Sequence, residues 1–230
     1  MNFRLSCVLV AAAALTVACA PASGYGQIVS ASSEWPEPVS PTAPAAPTSS
    51  APAPPREVPP ETHTGKGDGR FATSWPAGQP AFVTFDCPKC SSNVMVETDG
   101  FDVGLVNAIG KYHGTAWFNI TAAGRPVTTV SVRANAPWTA TVADFRSVPS
   151  LERGKPAPGR GDAVFRVPEG VTQAAFTAKG SGHVALWVTK ESSVDLLVNE
   201  IGAQQRTVQL TGPAFLRIDD WEGSWTITPS

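Results

Sequence analysis

The sequence predicts an all-β fold, with two tandem antiparallel β-sandwich-like repeats following a signal peptide and a disordered Pro-rich stalk. Three repeated landmarks predict it. Gly65-Lys66-Gly67-Asp68 returns as Gly159-Arg160-Gly161-Asp162, each with a Phe three residues after the Asp (Phe71, Phe165). Leu105-Val106-Asn107-Ala108-Ile109-Gly110 returns as Leu197-Val198-Asn199-Glu200-Ile201-Gly202, each with a Thr eight residues after the Asn (Thr115, Thr207). Pro137-Trp138-Thr139-Ala140-Thr141 is echoed by Trp225-Thr226-Ile227-Thr228. Asp68 to Asp162 is 94 residues, Leu105 to Leu197 is 92 and Trp138 to Trp225 is 87. Landmarks recurring in one order at similar offsets mark a duplicated unit.

The strands follow from period-2 patterning between turn residues. In the second copy they are expected near 163–167, 174–178, 183–189, 194–199, 206–210, 214–219 and 224–228. Val184, Leu186 and Val188 there alternate with Ala185 and Trp187. In the first copy they are expected near 82–85, 93–97, 102–107, 115–120, 128–133 and 138–142. No run of ten or more residues beyond the N-terminus carries a helical stripe. Each copy is near the lower size limit for a self-sufficient core, so the two are expected to pack together. The expected organisation is a signal peptide over 1–18 and a stalk over 19–64. Repeat 1 then spans 65–146, a connector 147–158 and repeat 2 159–230.

The N-terminus points to export. Leu5 to Ala18 is an uncharged, Ala-rich run after Arg4, the length of a signal-peptide core and short for a bilayer of about 30 Å. Leu15-Thr16-Val17-Ala18-Cys19 resembles the lipobox of bacterial lipoproteins, which implies diacylation of Cys19 and stable anchoring by two acyl chains. Simple secretion is the alternative, with cleavage near Ala18 and Ala20. Pro21 to Pro60 holds eleven of the 22 prolines with no apolar period, so it cannot bury a core. At about 3.1 Å per residue such a stalk reaches on the order of 120 Å.

Of four cysteines, Cys7 leaves with the signal and Cys19 takes lipid, which leaves Cys87 and Cys90 as a disulfide pair in an oxidising compartment. By alignment of the copies they sit at a hairpin tip. A redox site would need this spacing at the start of a helix, and a zinc site would need four ligands. Neither pattern is present, and no metal or cofactor is expected.

Glycines beside Asp68 and Asp162 read as tight turns with the carboxylates accepting from nearby backbone amides, and Asn107 and Asn199 as further structural turns. Arg160-Gly161-Asp162 also spells an adhesion tripeptide, but its recurrence as Lys66-Gly67-Asp68 favours a shared turn. The three histidines occupy non-equivalent places, and no hydrolase motif occurs. Catalytic carboxylates cannot be picked from Asp99, Asp102, Asp219 and Asp220 on spacing alone. The net charge of −2 and the lack of a basic stripe exclude an electrostatic case for nucleic acid. Tyr112, Trp117, Trp187 and Trp221 are the candidate ligand-binding residues, because aromatic faces on a small sheet stack on sugars. A protein of small sheets also uses such residues to fill its core, and that is the favoured reading.

Leu105 to Thr115, carrying Asn107, Gly110, Tyr112 and Gly114, resembles an LLVN-x-IG-x-Y-x-G-T segment of exported actinobacterial lipoproteins with tandem β-repeats. Asp195 to Gly202, the Cys87/Cys90 segment and the Trp225 strand are similar to parts of the same proteins. The resemblance implies class and location, not mechanism. The second copy departs from it, with Ala203-Gln204-Gln205-Arg206 where Tyr and Gly are expected. The function expected is a membrane-anchored surface lipoprotein with a non-enzymatic interaction or structural domain. A module for cell-wall glycans is the alternative and a cell-wall hydrolase the third. The expected partners are the membrane, through the N-terminal lipid, and cell-wall polysaccharide or envelope protein, with the domain outside the cytoplasmic membrane.

Overall fold

The computed structural model describes residues 57–121, 124–190, 193–220 and 223–230, all within the compact unit Ala53–Ser230. The signal-peptide run, Cys19, the stalk up to Arg56 and Trp221 lie outside the described residues. Among the described residues no helix is long and apolar enough to cross a membrane.

Repeat 1 comprises β1 (Glu61–Lys66), β2 (Gly69–Ala72), β3 (Ala81–Cys87), β4 (Asn93–Thr98), β5 (Gly104–Ile109), β6 (Tyr112–Phe118), β7 (Thr129–Arg133) and β8 (Pro137–Ala143). Repeat 2 comprises β9 (Ala157–Arg160), β10 (Ala163–Val167), β11 (Gln173–Lys179), β12 (His183–Thr189), β13 (Val194–Ile201), β14 (Gln204–Gln209), β15 (Ala214–Asp220) and β16 (Ser224–Pro229). Repeat 1 forms two four-stranded sheets in the orders β1-β8-β3-β6 and β2-β7-β4-β5. Repeat 2 forms β9-β16-β11-β14 and β10-β15-β12-β13, the same order strand for strand. The irregularities repeat too. The β4–β5 ladder slips at Val96/Glu97 and the β12–β13 ladder at Leu186/Trp187, so Leu105 and Leu197 are the bulged residues. The fold is therefore two tandem sandwiches, each with its own core.

Alternation builds each core. In β8, Trp138, Ala140 and Val142 point inward between Thr139 and Thr141; in β16, Trp225 and Ile227 do the same. The Asp68 and Asp162 turns match. Asp68 Oδ1 accepts from the Ala134 N–H at 3.1 Å and Asp162 Oδ1 from the Asp220 N–H at 3.0 Å, each tying the turn to the end of the next strand over. The Trp138 indole N–H donates to the Gly67 carbonyl at 2.9 Å, and that of Trp225 to the Gly161 carbonyl at 2.8 Å. Both glycines are left-handed, with φ of +73° and +65°.

Several elements differ from the sequence reading. Repeat 1 begins at Glu61, inside the expected stalk, because the inward positions of β1 are Glu61, His63 and Gly65, which leave no apolar signal. Glu61 accepts from the Ser74 and Thr73 hydroxyls, and the His63 ring stacks on Phe71 at 4.0 Å. The connector is not idle. The Arg166 N–H donates to the Pro149 carbonyl and the Leu151 N–H to the Arg166 carbonyl, and Leu151 enters the repeat-2 core. Asn107 and Asn199 lie within β5 and β13 and face solvent; the turns are made at Gly110 and Gly202, both at φ +87°.

Cys87 and Cys90 form a disulfide with both residues buried, but not at a hairpin tip. β3 and β4 belong to different sheets, so the bridge spans the corner where the chain crosses between them. The matching corner in repeat 2 runs through Gly180 with no bridge. In the chain-entropy view a loop this short contributes only about 2 kcal/mol. Replacing both cysteines with alanine should lower the unfolding free energy by about that amount in denaturant titration; no loss would mean the crossing is held by the core alone.

The repeats dock through faces turned away from their own cores. Phe82 and Trp117 from the β3/β6 face meet Val164, Trp187 and Phe215 from the β10/β12/β15 face, with Val148 of the connector between them. The Phe82 and Phe215 rings lie 4.8 Å apart. Burying Phe82, Trp117, Val148 and Val164 contributes about 1.5–3 kcal/mol each as an upper figure, enough to hold one orientation. The sheet edges β6 and β10 also meet, and the Thr115 N–H donates to the Asp162 carbonyl at 3.2 Å.

Candidate functional site

A two-lobed groove runs along this junction and gathers the partly buried charges of Glu97, Asp102, Asp162, Arg217 and Asp219. Its first lobe, about 690 Å³, lies between the β5/β6 turn of repeat 1 and the Arg160–Asp162 turn of repeat 2. Its second, about 510 Å³, is bounded by Phe101, Asp102, Trp117, Trp187, Arg217 and Asp219. Arg217, Asp219 and Gly104 line both.

Arg217 sits on the outward face of β15, between Leu216 and Ile218, which point into the repeat-2 core. Docking turns that face into an interior one. Arg217 Nε donates to Asp219 Oδ1 at 2.5 Å and Nη2 to the Leu105 carbonyl at 3.1 Å, while its guanidinium lies 6.0 Å from the Trp117 ring centre. Leu105 is the bulged residue of β5, which is why its carbonyl is free to accept from the other repeat. Asp219 Oδ2 accepts from the Trp187 indole N–H at 3.0 Å. Both oxygens of Asp219 are thus held by repeat-2 donors, and Arg217 fastens the pair to repeat 1.

Tyr112 donates its hydroxyl to Asp162 Oδ2 at 2.7 Å, joining the repeats a second time. Burial, and then the charge of Asp219, push the Asp162 carboxyl up to about 6. Burial and the Asp162 charge raise the Tyr112 phenol well above its usual range. Asp102, in the second lobe, is also pushed up by burial, opposed by hydrogen bonds from the Asn119 and Ile120 amides and by the charge of Arg217. Gly114 is required for the close approach, since a Cβ there would stand 2.5 Å from the Tyr112 oxygen and 3.1 Å from the Asp162 Cβ.

The Tyr-x-Gly-Thr stretch is therefore a docking device. Its counterpart at Gln204–Thr207 begins β14, an edge strand that meets no other repeat among the described residues, and there Tyr and Gly are absent. Tyr112 and Trp117 are buried, with the phenol oxygen bound to Asp162, so neither offers an open ring face for a sugar. Trp187 is partly exposed with its N–H engaged, and Trp221 is outside the described residues. Asp162 of the Arg-Gly-Asp tripeptide is held inside the junction, where no adhesion receptor reaches it.

Sequence reasoning missed Arg217 and Phe101. An arginine between two core-facing strand residues reads as a solvated position, and only the partner face reveals otherwise. Phe101 had one usable signal, an aromatic in a loop where aligning Leu105 with Leu197 puts Ser193 in the other copy. Among the described residues no cluster of three or more His, Cys, Asp or Glu could hold a metal ion.

No protein-family model and no curated protein matches the chain. Among solved structures it is similar to the CUB1-EGF-CUB2 domain of human MASP-1/3, at 7% identity over 74% of this chain and 99% of that one, with a TM-score of 0.26. The corresponding rat MASP-1 domains give 7% identity, 74% and 97% coverage and a TM-score of 0.24. The major capsid protein P2 of bacteriophage PM2 gives 13%, 74% and 96%, with a TM-score of 0.23. Similarity at that level assigns neither family nor function.

Proposed function

We propose that this chain is an exported, lipid-anchored envelope protein whose two-repeat β-domain is a non-enzymatic interaction module, held away from the membrane by the Pro-rich stalk. The observation that carries the module is the groove built jointly by both repeats, since sites for ligands favour such junctions. Two of its carboxylates support binding over turnover. Asp162 and Asp219 each have both oxygens engaged by protein donors, whereas a glycoside hydrolase needs an acid and a base facing the substrate. Titration of the full chain against envelope polysaccharides and envelope proteins, with products assayed in parallel, tests it. Saturable binding without turnover is expected; turnover would overturn the non-enzymatic reading.

Export and anchoring rest on the Leu5–Cys19 run. The native chain should partition into the detergent phase and Cys19→Ala should move it to the aqueous phase or leave it unprocessed, because two acyl chains are what make anchoring stable. An unchanged distribution in the variant would point to simple secretion.

A further inference from the structure

We propose that the second lobe of the groove, bounded by Phe101, Asp102, Trp117, Trp187, Arg217 and Asp219, is a subsite for one ring of a neutral oligosaccharide; this rests on the interaction-module reading. The duplication supplies an internal control for what the fold itself needs. With Leu105 aligned on Leu197, Phe101 stands where repeat 2 has Ser193, and Val103 where it has Asp195. Packing does not explain the two apolar residues, which are 63% and 57% exposed.

The loop that presents Phe101 is nevertheless firmly built. Asp99 accepts from the Thr128 amide and hydroxyl and from the Thr129 amide, at 2.9, 2.6 and 2.9 Å. The Thr98 N–H donates to the Val103 carbonyl at 2.7 Å and the Phe101 N–H to the Arg125 carbonyl at 3.0 Å. An exposed aromatic on a loop tied this closely is preorganised, so little ordering cost remains for a ligand to bear.

The chemistry of the lobe fits a sugar ring. A pyranose offers an apolar C–H face and a rim of hydroxyls that both donate and accept. Phe101 and the partly exposed Trp187 supply apolar walls. The floor sets a donor beside acceptors. Of the five guanidinium N–H groups of Arg217, those engaged go to Asp219 and Leu105, and the others make no hydrogen bond among the described residues. Asp102 supplies carboxylate oxygens that, beyond the Asn119 and Ile120 amides, keep lone pairs to spare. Arg217 is neutralised by Asp219, and Asp102 adds negative charge, which disfavours an anionic ligand. A cationic one would have to sit against Arg217. At about 510 Å³ the lobe also lies within the roughly 300–1,000 Å³ of small-ligand sites rather than being a flat protein-docking face.

Calorimetric titration of the full chain with cellotetraose, chitotetraose and maltotetraose, followed in parallel by tryptophan emission, tests the subsite. Saturable binding to at least one is expected, weakened about ten-fold or more in Phe101→Ser, as for an aromatic hot spot. Ile201→Ser, at a residue 77% exposed and lining neither lobe, should bind as the parent does. Phe101 is a surface residue, so its variant should fold, which a melting curve verifies. No saturation with any tetrasaccharide up to about 10 mM, or binding indifferent to Phe101→Ser, overturns the subsite. If no sugar binds but an identified envelope protein is held by the parent and released by Phe101→Ser, the sugar proposal falls and the interaction module stands. If neither is held, both fall.

Discussion

Trp225→Ala should destabilise the domain by about 3–5 kcal/mol, and Trp138→Ala by a similar amount, the range for removing a large aromatic from a close-packed core. Against a typical stability of about 5–15 kcal/mol either change is severe. Both tryptophans are buried, and each sits opposite a glycine on the first strand of its repeat: Trp138 faces Gly65 and Trp225 faces Gly159. The indole lies over that glycine and reaches the carbonyl two residues further on. An added Cβ would come within 2.3 Å of the Trp138 ring at Gly65 and 2.2 Å of the Trp225 ring at Gly159. Gly65→Ala and Gly159→Ala should therefore each cost about 1–3 kcal/mol through overpacking. Denaturant unfolding of the four variants measures the set. A loss below about 1 kcal/mol for either tryptophan would contradict its place in the core.

The second large effect is a pH dependence at the junction. The Asp162 carboxyl is at about 6 in the folded protein against 3.8 for the free group, so the folded state binds the proton more tightly. Its contribution is most favourable below pH 4, falls as pH rises from about 4 through about 6, and is level above about 7. Two pKa units correspond to about 3 kcal/mol at most. Asp162→Asn removes the titration while keeping an acceptor for the Asp220 amide and a polar partner for Tyr112. The stability of the variant relative to the parent should therefore rise by up to about 3 kcal/mol between pH 4 and pH 7.5. Comparing the two proteins cancels the opposing slopes of Glu61 and Asp99, whose hydrogen-bonded carboxyls are held below their usual range. Tyr112→Phe should cost about 1–3 kcal/mol at pH 7.5, where it deprives an ionised carboxylate of a donor, and less at pH 4. A stability difference for Asp162→Asn that is flat across this range would mean that Asp162 is solvated and the repeats are not closed over it.

Each repeat was largely legible residue by residue. Period-2 alternation located β10 and β12 at their bounds and most other strands within two residues, because which side of a strand faces the core is written locally. The landmarks were legible because a left-handed glycine, a capping aspartate and an indole spanning a facing glycine are demands of the fold that both copies share. β1, β2 and β9 were not, since Glu61-Thr62-His63, Gly69-Arg70-Phe71 and Ala157-Pro158-Gly159 turn charged, aromatic-stacked or small residues inward. The disulfide partners followed from cysteine count and spacing, but the crossing they brace required the sheet assignment.

The groove was decided by tertiary structure alone. Phe82, Trp117, Trp187, Phe215 and Arg217 all lie on strand faces turned away from their own cores, where a sequence cannot distinguish water from a second sandwich. Only docking makes Arg217 an inter-repeat bridge and Tyr112 the partner of Asp162. It also explains why Tyr and Gly are present in one copy and missing from the other. Local alternation is set by the geometry of a single strand, whereas the charge, burial and shape of the groove arise from which two outward faces meet.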